Sequence, residues 1–194
     1  DRVTLTDMVR AAYPSEMNYE LLPLHRLDVE TSGLVLYSMS DVFHPLFDSM
    51  ISEKRISRIY IALAEGRLEK DTSFTVTKPI GRDRHRSGAY RVSSSGKPSA
   101  THFTSLRYIE KYDVSILRCG LETGRTHQIR LHCMASGAPI LGDPVYGTEE
   151  SAAYSDALGL TVQQLCCVEM TFPHPMTGKP LSIVTRPEFY DTLR

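Results

Sequence analysis

Long apolar runs are missing from this chain. None approaches the roughly 20 residues that a membrane-spanning helix needs, and the longest stretches are broken by Ser, Gly or charge. Membrane helices are thereby excluded. Cysteine is scarce as well: there are four, without a CxxC, and Cys166 and Cys167 are adjacent. That pattern gives neither a zinc finger nor a disulfide framework, and the thiols read as reduced, in a cytosol-like compartment. The opening DRVTLTDMVRAAYP lacks the basic start and apolar core of a secretory signal, so a cytoplasmic location is expected. Neither the phosphate-loop glycine pattern nor GxGxxG nor GxSxG occurs, so no nucleotide cofactor and no hydrolase elbow is indicated. His127 and His132 lie five apart, about 140° round a helix, and do not share a face as metal ligands should. No metal is expected. Repeats, low-complexity tracts and long linkers are also absent, and 194 residues at 21.8 kDa suit a single domain over 1–194.

Neither sign of charge dominates, with 22 Lys and Arg against 23 Asp and Glu. The distribution is less even. Residues 1–81 sum to −3, residues 82–130 to +6 and residues 131–194 to −4, which together give the net −1. A basic middle between acidic flanks points to one positive face, a footprint suited to nucleic acid. A solvated arginine-rich loop would look the same.

Residues 5–13 carry Leu5, Met8, Val9 and Ala12 at helical spacing after Thr4 or Thr6 as N-cap, with Pro14 as the stop and PSEMNYE as a turn. Gly33 leads into Leu34-Val35-Leu36-Tyr37, an apolar strand covered on both faces. Asp41 should cap a helix to Ile51, with Phe43, Leu46, Phe47, Met50 and Ile51 on one stripe. RIYIALAEGRL reads as a strand ending at Gly66. Residues 79–98, rich in Pro, Gly, Ser and Arg, form a long loop or loose hairpin, and loops of that length are usually functional or mobile. THFTSLRYIE and DVSILRCGLE form a strand pair turning near residues 111–113. A helix through HQIRLHCMAS ends at Gly137. CCVEMTF and PLSIVT make a last pair around HPMTGK. Strands mostly follow one another, so the class is α+β with a mixed, largely antiparallel sheet flanked by helices.

Four stretches join polar residues to tight turns. In His25-Arg26-Leu27-Asp28, Asp28 precedes a Thr-Ser-Gly turn; it is either a nucleophile or general base, or an acceptor for its own turn, which the spacing alone favours. In Arg58-Ile59-Tyr60-Ile61-Ala62, Tyr60 shares a face with Arg58 and offers a stacking surface or proton acceptor, or an edge of the core. In Glu122-Thr123-Gly124-Arg125-Thr126-His127, Arg125 stands near a helix start where the macrodipole disfavours cations, which suggests a carboxylate partner. Gly142-Asp143-Pro144-Val145-Tyr146-Gly147 is a turn that by itself says little.

Taken together, HRLDVETSGL, RIYIA, LETGRTHQIRLH, PILGDPVYG and TFPHPMTGKPL resemble the RluA-type family of RNA pseudouridine synthases, in order and spacing, over about residues 24–182. The resemblance implies that family's catalytic fold and the isomerisation of uridine to pseudouridine in ribosomal or transfer RNA. It also implies flipping of the base out of its stack and no cofactor. One carboxylate suffices, unlike the pair of glycoside hydrolases. Residue by residue, Asp28 matches the essential aspartate, and Tyr60 the tyrosine that stacks on the base and is a candidate for taking the C5 proton. Arg125 matches the arginine paired with the aspartate, and Arg26 the arginine that fills the place of the flipped uridine. His25, His127 and Arg130 join Arg26 as RNA contacts, and Arg82, Arg84, Arg86, Arg91 and Lys97 are expected to grip phosphates. Arg58 stands where a lysine is common. The family's strand with an Asn-Lys-Pro-x-Gly-like turn precedes the point where this sequence starts, so the domain is expected to lack it. The expected partner is an RNA stem-loop bound by a monomer, with no membrane. The competing readings are a non-catalytic RNA-binding module, and a glycosidase that would need Glu30 or Glu122 as a second carboxylate.

Overall fold

The computed structural model describes residues 3–13, 21–191 and 193. Helix α1, Leu5–Ala12, opens on a reciprocal capping box: the Thr4 hydroxyl accepts the Asp7 N–H, and the Asp7 carboxylate accepts the Thr4 N–H. None of its residues is buried. The proline stop and the PSEMNYE turn fall outside the described residues.

The frame is an antiparallel sheet built from four long strands. These are β4 (Ser57–Glu65), β8 (Thr101–Ile109), β9 (Val114–Leu121) and β10 (Leu165–Pro173). With β5 (Ser73–Val76) and β11 (Pro180–Val184) at its edges, the order is β11-β10-β4-β9-β8-β5. Strand β4 sits at the centre, and every residue from Ile59 to Ala64 is buried. Its alternation feeds two cores, one on each face. Tyr60, Ala62 and Ala64 pack with Leu117, Cys119 and Ile129, while Ile61 and Leu63 pack with Val114, Ile116 and Leu141. A strand covered on both faces reads as a continuous apolar run, as RIYIALAEG does.

Of the strand expected over Leu34–Tyr37, only Tyr37 belongs to one, and Leu34–Leu36 do not. Two short pieces flank them: β2 (Ser32–Gly33) runs parallel to Cys166–Cys167, and β3 (Tyr37–Ser38) pairs with β1 (Leu22–Pro23). The outer edge of β10 is already shared between β2 and β11, so the residues between have no ladder to join. Asp41 does not cap helix α2, which spans His44–Ser52 with Phe43 as N-cap and no side-chain bond there. A turn through Ser40 comes first, with the Phe43 and His44 N–H groups on the Ser40 carbonyl. Of the expected stripe only Met50 is buried, although Phe47 packs edge-on to Phe172 at 5.8 Å.

Residues 79–98 form an arm: β6 (Ile80–Arg82) and β7 (Tyr90–Val92) make a hairpin closed at its base by paired Ile80 and Lys97 backbone bonds. The turn between β8 and β9 is a 3-10 turn, Glu110–Tyr112, ending on Asp113 in the left-handed region. Helix α3 covers Gln128–Met134. Helix α4, Glu149–Ala157, carries no apolar stripe in its sequence and is set by a Thr148–Ser151 capping box.

Candidate active site

Asp28 is presented by a turn fastened to the sheet. The Thr31 N–H bonds the Asp28 carbonyl at 3.0 Å, Gln163 Nε2 holds the Thr31 hydroxyl at 2.6 Å, and Leu34 N–H bonds the Cys167 carbonyl at 3.0 Å. Gly33 makes this approach possible. Its φ is +104°, and a Cβ there would collide with the Cys167 backbone, so only glycine lets the segment lie this close to β10. His25 supports the same turn from behind. Its Nε2 accepts the Leu36 N–H at 3.1 Å, and burial, aided by the Arg58 charge, lowers its pKa to about 4. His25, expected as an RNA contact, is a neutral strut that also lines a groove beside the cleft.

The loop after β9 is organised by Gln128. Its Oε1 accepts from the Thr123 hydroxyl at 2.7 Å and the Arg125 N–H at 3.0 Å, and its Nε2 donates to the Ala100 carbonyl at 2.9 Å. His127 then takes a left-handed conformation, φ 57°, and the helix begins only at Gln128. This geometry decides which arginine meets Asp28. Arg125 turns outward, its Nε donating to the Pro98 carbonyl at 3.1 Å. Arg130, nearly one turn into α3, points inward, and its Nη1 lies 3.2 Å from Asp28 Oδ2. The ion pair expected of Arg125 is therefore made by Arg130. That arginine, expected as an RNA contact, lines the cleft and is held from its inner side. It is 6% exposed and clamped by Asp143 through Nε at 2.6 Å and Nη2 at 2.7 Å, with its Cζ 4.9 Å from the centre of the Tyr146 ring.

Asp143 comes from the GDPVYG turn, and its Oδ1 also accepts the Val145 and Tyr146 N–H groups at 2.9 and 3.0 Å. Burial works to raise its pKa, but the Arg130 bonds and charge and those two N–H groups outweigh it and hold it lowered. On Arg130, burial acts to lower the pKa, and the two carboxylates overcome it. The result is a chain Asp143–Arg130–Asp28 running from a dry interior to a carboxylate at the surface of a cleft, with Asp28 19% exposed at its side chain. The carboxylate spends its bond on Arg130 and not on its own turn.

The cleft, open to solvent, is lined by Asp28, Tyr60, Arg26, Arg58, Arg125 and His127 among others. Tyr60 lies at its floor, 5% exposed. Burial, with the neighbouring Cys167 thiol, raises its pKa, so the ring is a neutral phenol; its face of β4 is core, not a polar surface. His127 sits on the wall, with Nε2 4.0 Å from Asp28 Oδ2. Burial lowers its pKa against the pull of Asp28. Gly124 passes under Arg58, where a Cβ would stand 3.0 Å from Nη2.

Two further grooves adjoin the cleft, both sharing Gly124 and Arg125 with it. One carries Arg26, Lys54 and Arg58; the other runs beneath the arm with Arg82, Tyr90 and Lys97. Arg82, Arg84, Arg86 and Arg91 are all exposed on the arm. Basic groups thus follow one path across the mouth of the cleft. Asp143, Tyr146 and Gln128 are the functional positions that sequence reasoning passed over. The signal for Asp143 is the carboxylate that opens the turn in PILGDPVYG.

The cleft thus joins an ion-paired carboxylate and a neutral tyrosine floor to basic margins, on an antiparallel sheet. The RNA pseudouridylate synthase family model matches residues 5–135. An uncharacterised RNA pseudouridine synthase of Bacillus subtilis is 38% identical over 147 residues, covering 74% of this chain and 48% of that protein. A ribosomal large subunit pseudouridine synthase D from Nitrosomonas europaea is 39% identical over 163 residues, covering 81% and 45%. The solved structure of human RNA pseudouridylate synthase domain containing 1 superposes with a TM-score of 0.82 at 26% identity, covering 98% of this chain and 77% of that one. The chain belongs to the RNA pseudouridylate synthase family and has its α+β catalytic fold. It spans about half the length of the curated relatives it matches.

Proposed function

We propose that this chain isomerises uridine in structured RNA to pseudouridine, with Asp28 as the essential group. The observation that carries the reading is the Asp143–Arg130–Asp28 chain, which brings one carboxylate to a cleft bordered by arginines. A protein that only bound RNA would gain nothing from a negative group facing a polyanion. A glycosidase would need a second carboxylate, and among the described residues Asp28 is the acid that lines this cleft, while Glu122 opens onto the neighbouring groove and pairs with His102 at 2.5 Å.

A uridine inside a helix hides its glycosidic bond, so the base must leave the stack to reach Asp28. Arg26, exposed beside Asp28, is placed to occupy the space left behind, and the basic margins hold the backbone. In the cleft the base lies over Tyr60 while the N1–C1′ bond breaks, the uracil turns, C5 joins C1′, and C5 gives up its proton as N1 gains one, so that the reaction is a net isomerisation. A neutral phenol serves as a face for the base, and the detached base stays as its own reaction partner, so no water is activated. The relatives named for the ribosomal large subunit favour ribosomal RNA over transfer RNA as the substrate, met in the cytoplasm. Pseudouridine mapping by carbodiimide labelling and primer extension, on total RNA from cells carrying the native protein or Asp28→Asn, tests this. Loss of one or a few uridine signals is expected in the variant; identical maps with RNA binding retained would return the protein to a binding role.

A further inference from the structure

The basic arm reaches Asp28 through two side chains that the reaction just described does not use. The buried Tyr146 hydroxyl accepts the N–H of Tyr90, on the arm, at 2.9 Å, and lies 2.7 Å from His127 Nδ1. The hydroxyl has one proton and, among the described residues, no acceptor within reach other than His127 Nδ1, so it donates there. His127 is then the tautomer with its hydrogen on Nε2, the nitrogen that faces Asp28 Oδ2 at 4.0 Å. The rings enforce the arrangement. Tyr90 and Tyr146 both meet His127 edge-on, with centroids 5.6 and 5.5 Å away. Ile80 and Leu131 pack on Tyr146 in a separate apolar cluster under the arm.

Resting on the proposed reaction, we infer that Tyr146 is a positioning residue: it fixes His127 as an Nε2–H donor aimed at the Asp28 carboxylate, and ties that setting to the seating of the arginine-rich arm. At 4.0 Å the donor does not yet touch Asp28. Because the arm's Tyr90 N–H holds the Tyr146 hydroxyl, the seating of the arm and the setting of the imidazole share one chain of hydrogen bonds. The charged and titratable groups around the imidazole are Asp28, Arg130, Asp143 and Arg26, with the Tyr90 and Tyr146 rings.

The test combines nitrogen NMR of the histidine rings with kinetics on transcribed large-subunit ribosomal RNA, using the wild-type chain and Tyr146→Phe. His127 signals are identified by their loss in His127→Gln. In wild type a single Nε2–H tautomer is expected, titrating below 6.5. In Tyr146→Phe the tautomers mix, the midpoint rises, and exchange of the Tyr90 amide quickens about two- to tenfold, the worth of one net hydrogen bond. On RNA, kcat falls by about the same factor while KM stays within about twofold. An unchanged tautomer and an unchanged Tyr90 amide in the variant would overturn the inference, whatever happens to thermal stability. If Tyr146→Phe does not fold, His127→Gln and His127→Asn replace it. Gln keeps an amide N–H near the Nε2 position and retains part of kcat, whereas Asn does not; equal loss in both overturns the role. The NMR arm needs no turnover, so absence of pseudouridine would refute the reaction without deciding the relay.

Discussion

The Asp143–Arg130–Asp28 chain should separate stability from activity, and two single substitutions show how. In Asp143→Asn the new Oδ1 still accepts from Val145, Tyr146 and Arg130 Nη2, but an amide NH₂ replaces the oxygen that meets Arg130 Nε at 2.6 Å. Two donors then face each other in a site where the Asp143 side chain is 1% and Arg130 6% exposed. Removing one partner of a buried pair costs about 3–5 kcal/mol. Asp28 leaves Arg130 one carboxylate, which places the expected cost at the lower end, about 3 kcal/mol. For a chain of this size that lowers Tm by roughly 6–12 °C. Asp28→Asn is the contrast. Its side chain is 19% exposed and its bond to Arg130 is the longer one, 3.2 Å, so its cost to stability is about 1 kcal/mol while turnover is lost. Urea unfolding of the three proteins, with m held common, measures both costs. A penalty for Asp28→Asn equal to that of Asp143→Asn, or one below about 1 kcal/mol for Asp143→Asn, would refute the assignment of Asp143 as the anchor of this chain.

Acid should act on the strut behind the catalytic turn. The folded protein lowers the pKa of His25 from 6.5 to about 4, so its stability is intact above pH 6.5 and is lost as pH falls towards 4, because only the unfolded chain takes up the proton. About 2–3 kcal/mol is at stake after allowance for partial exposure. Melting curves between pH 7.5 and 4.5 should therefore fall more steeply for wild type than for His25→Asn, and parallel curves would show that His25 carries no such linkage. Replacing Arg82, Arg84, Arg86 and Arg91 by Gln should flatten the salt dependence of RNA affinity, with log K against log salt losing about 0.7–0.9 in slope per phosphate contact removed. Fluorescence anisotropy from 50 to 200 mM salt measures it, and an unchanged slope would place the RNA away from the arm.

The local pattern determined the regular elements. Thr4 and Asp7 give the first helix its start; RIYIALAEG reads as a strand, whose burial on both faces the fold then adds; Gly137, at φ 75°, follows the last turn after α3. Motif order also announced Asp28 and Tyr60 as neighbours across 32 positions of sequence, and both line one cleft. Other features were settled only in three dimensions. Leu34–Leu36 is apolar enough for a strand, yet a strand needs a free edge, and β2 and β11 take the edge of β10. Helix α4 has no apolar stripe and is held by its cap and by the loops around it. The partner of Asp28 is the sharpest case. Spacing makes Arg125 and Arg130 equally eligible, since both lie near the start of one helix. The choice falls to His127, whose left-handed backbone delays the helix until Gln128, turning Arg125 towards Pro98 and Arg130 into the interior where Asp143 waits. Residue types and their order name the groups a site will use. Which charges meet depends on backbone angles at a single residue and on a carboxylate 13 positions further along, and the sequence encodes that only through the packing of the whole.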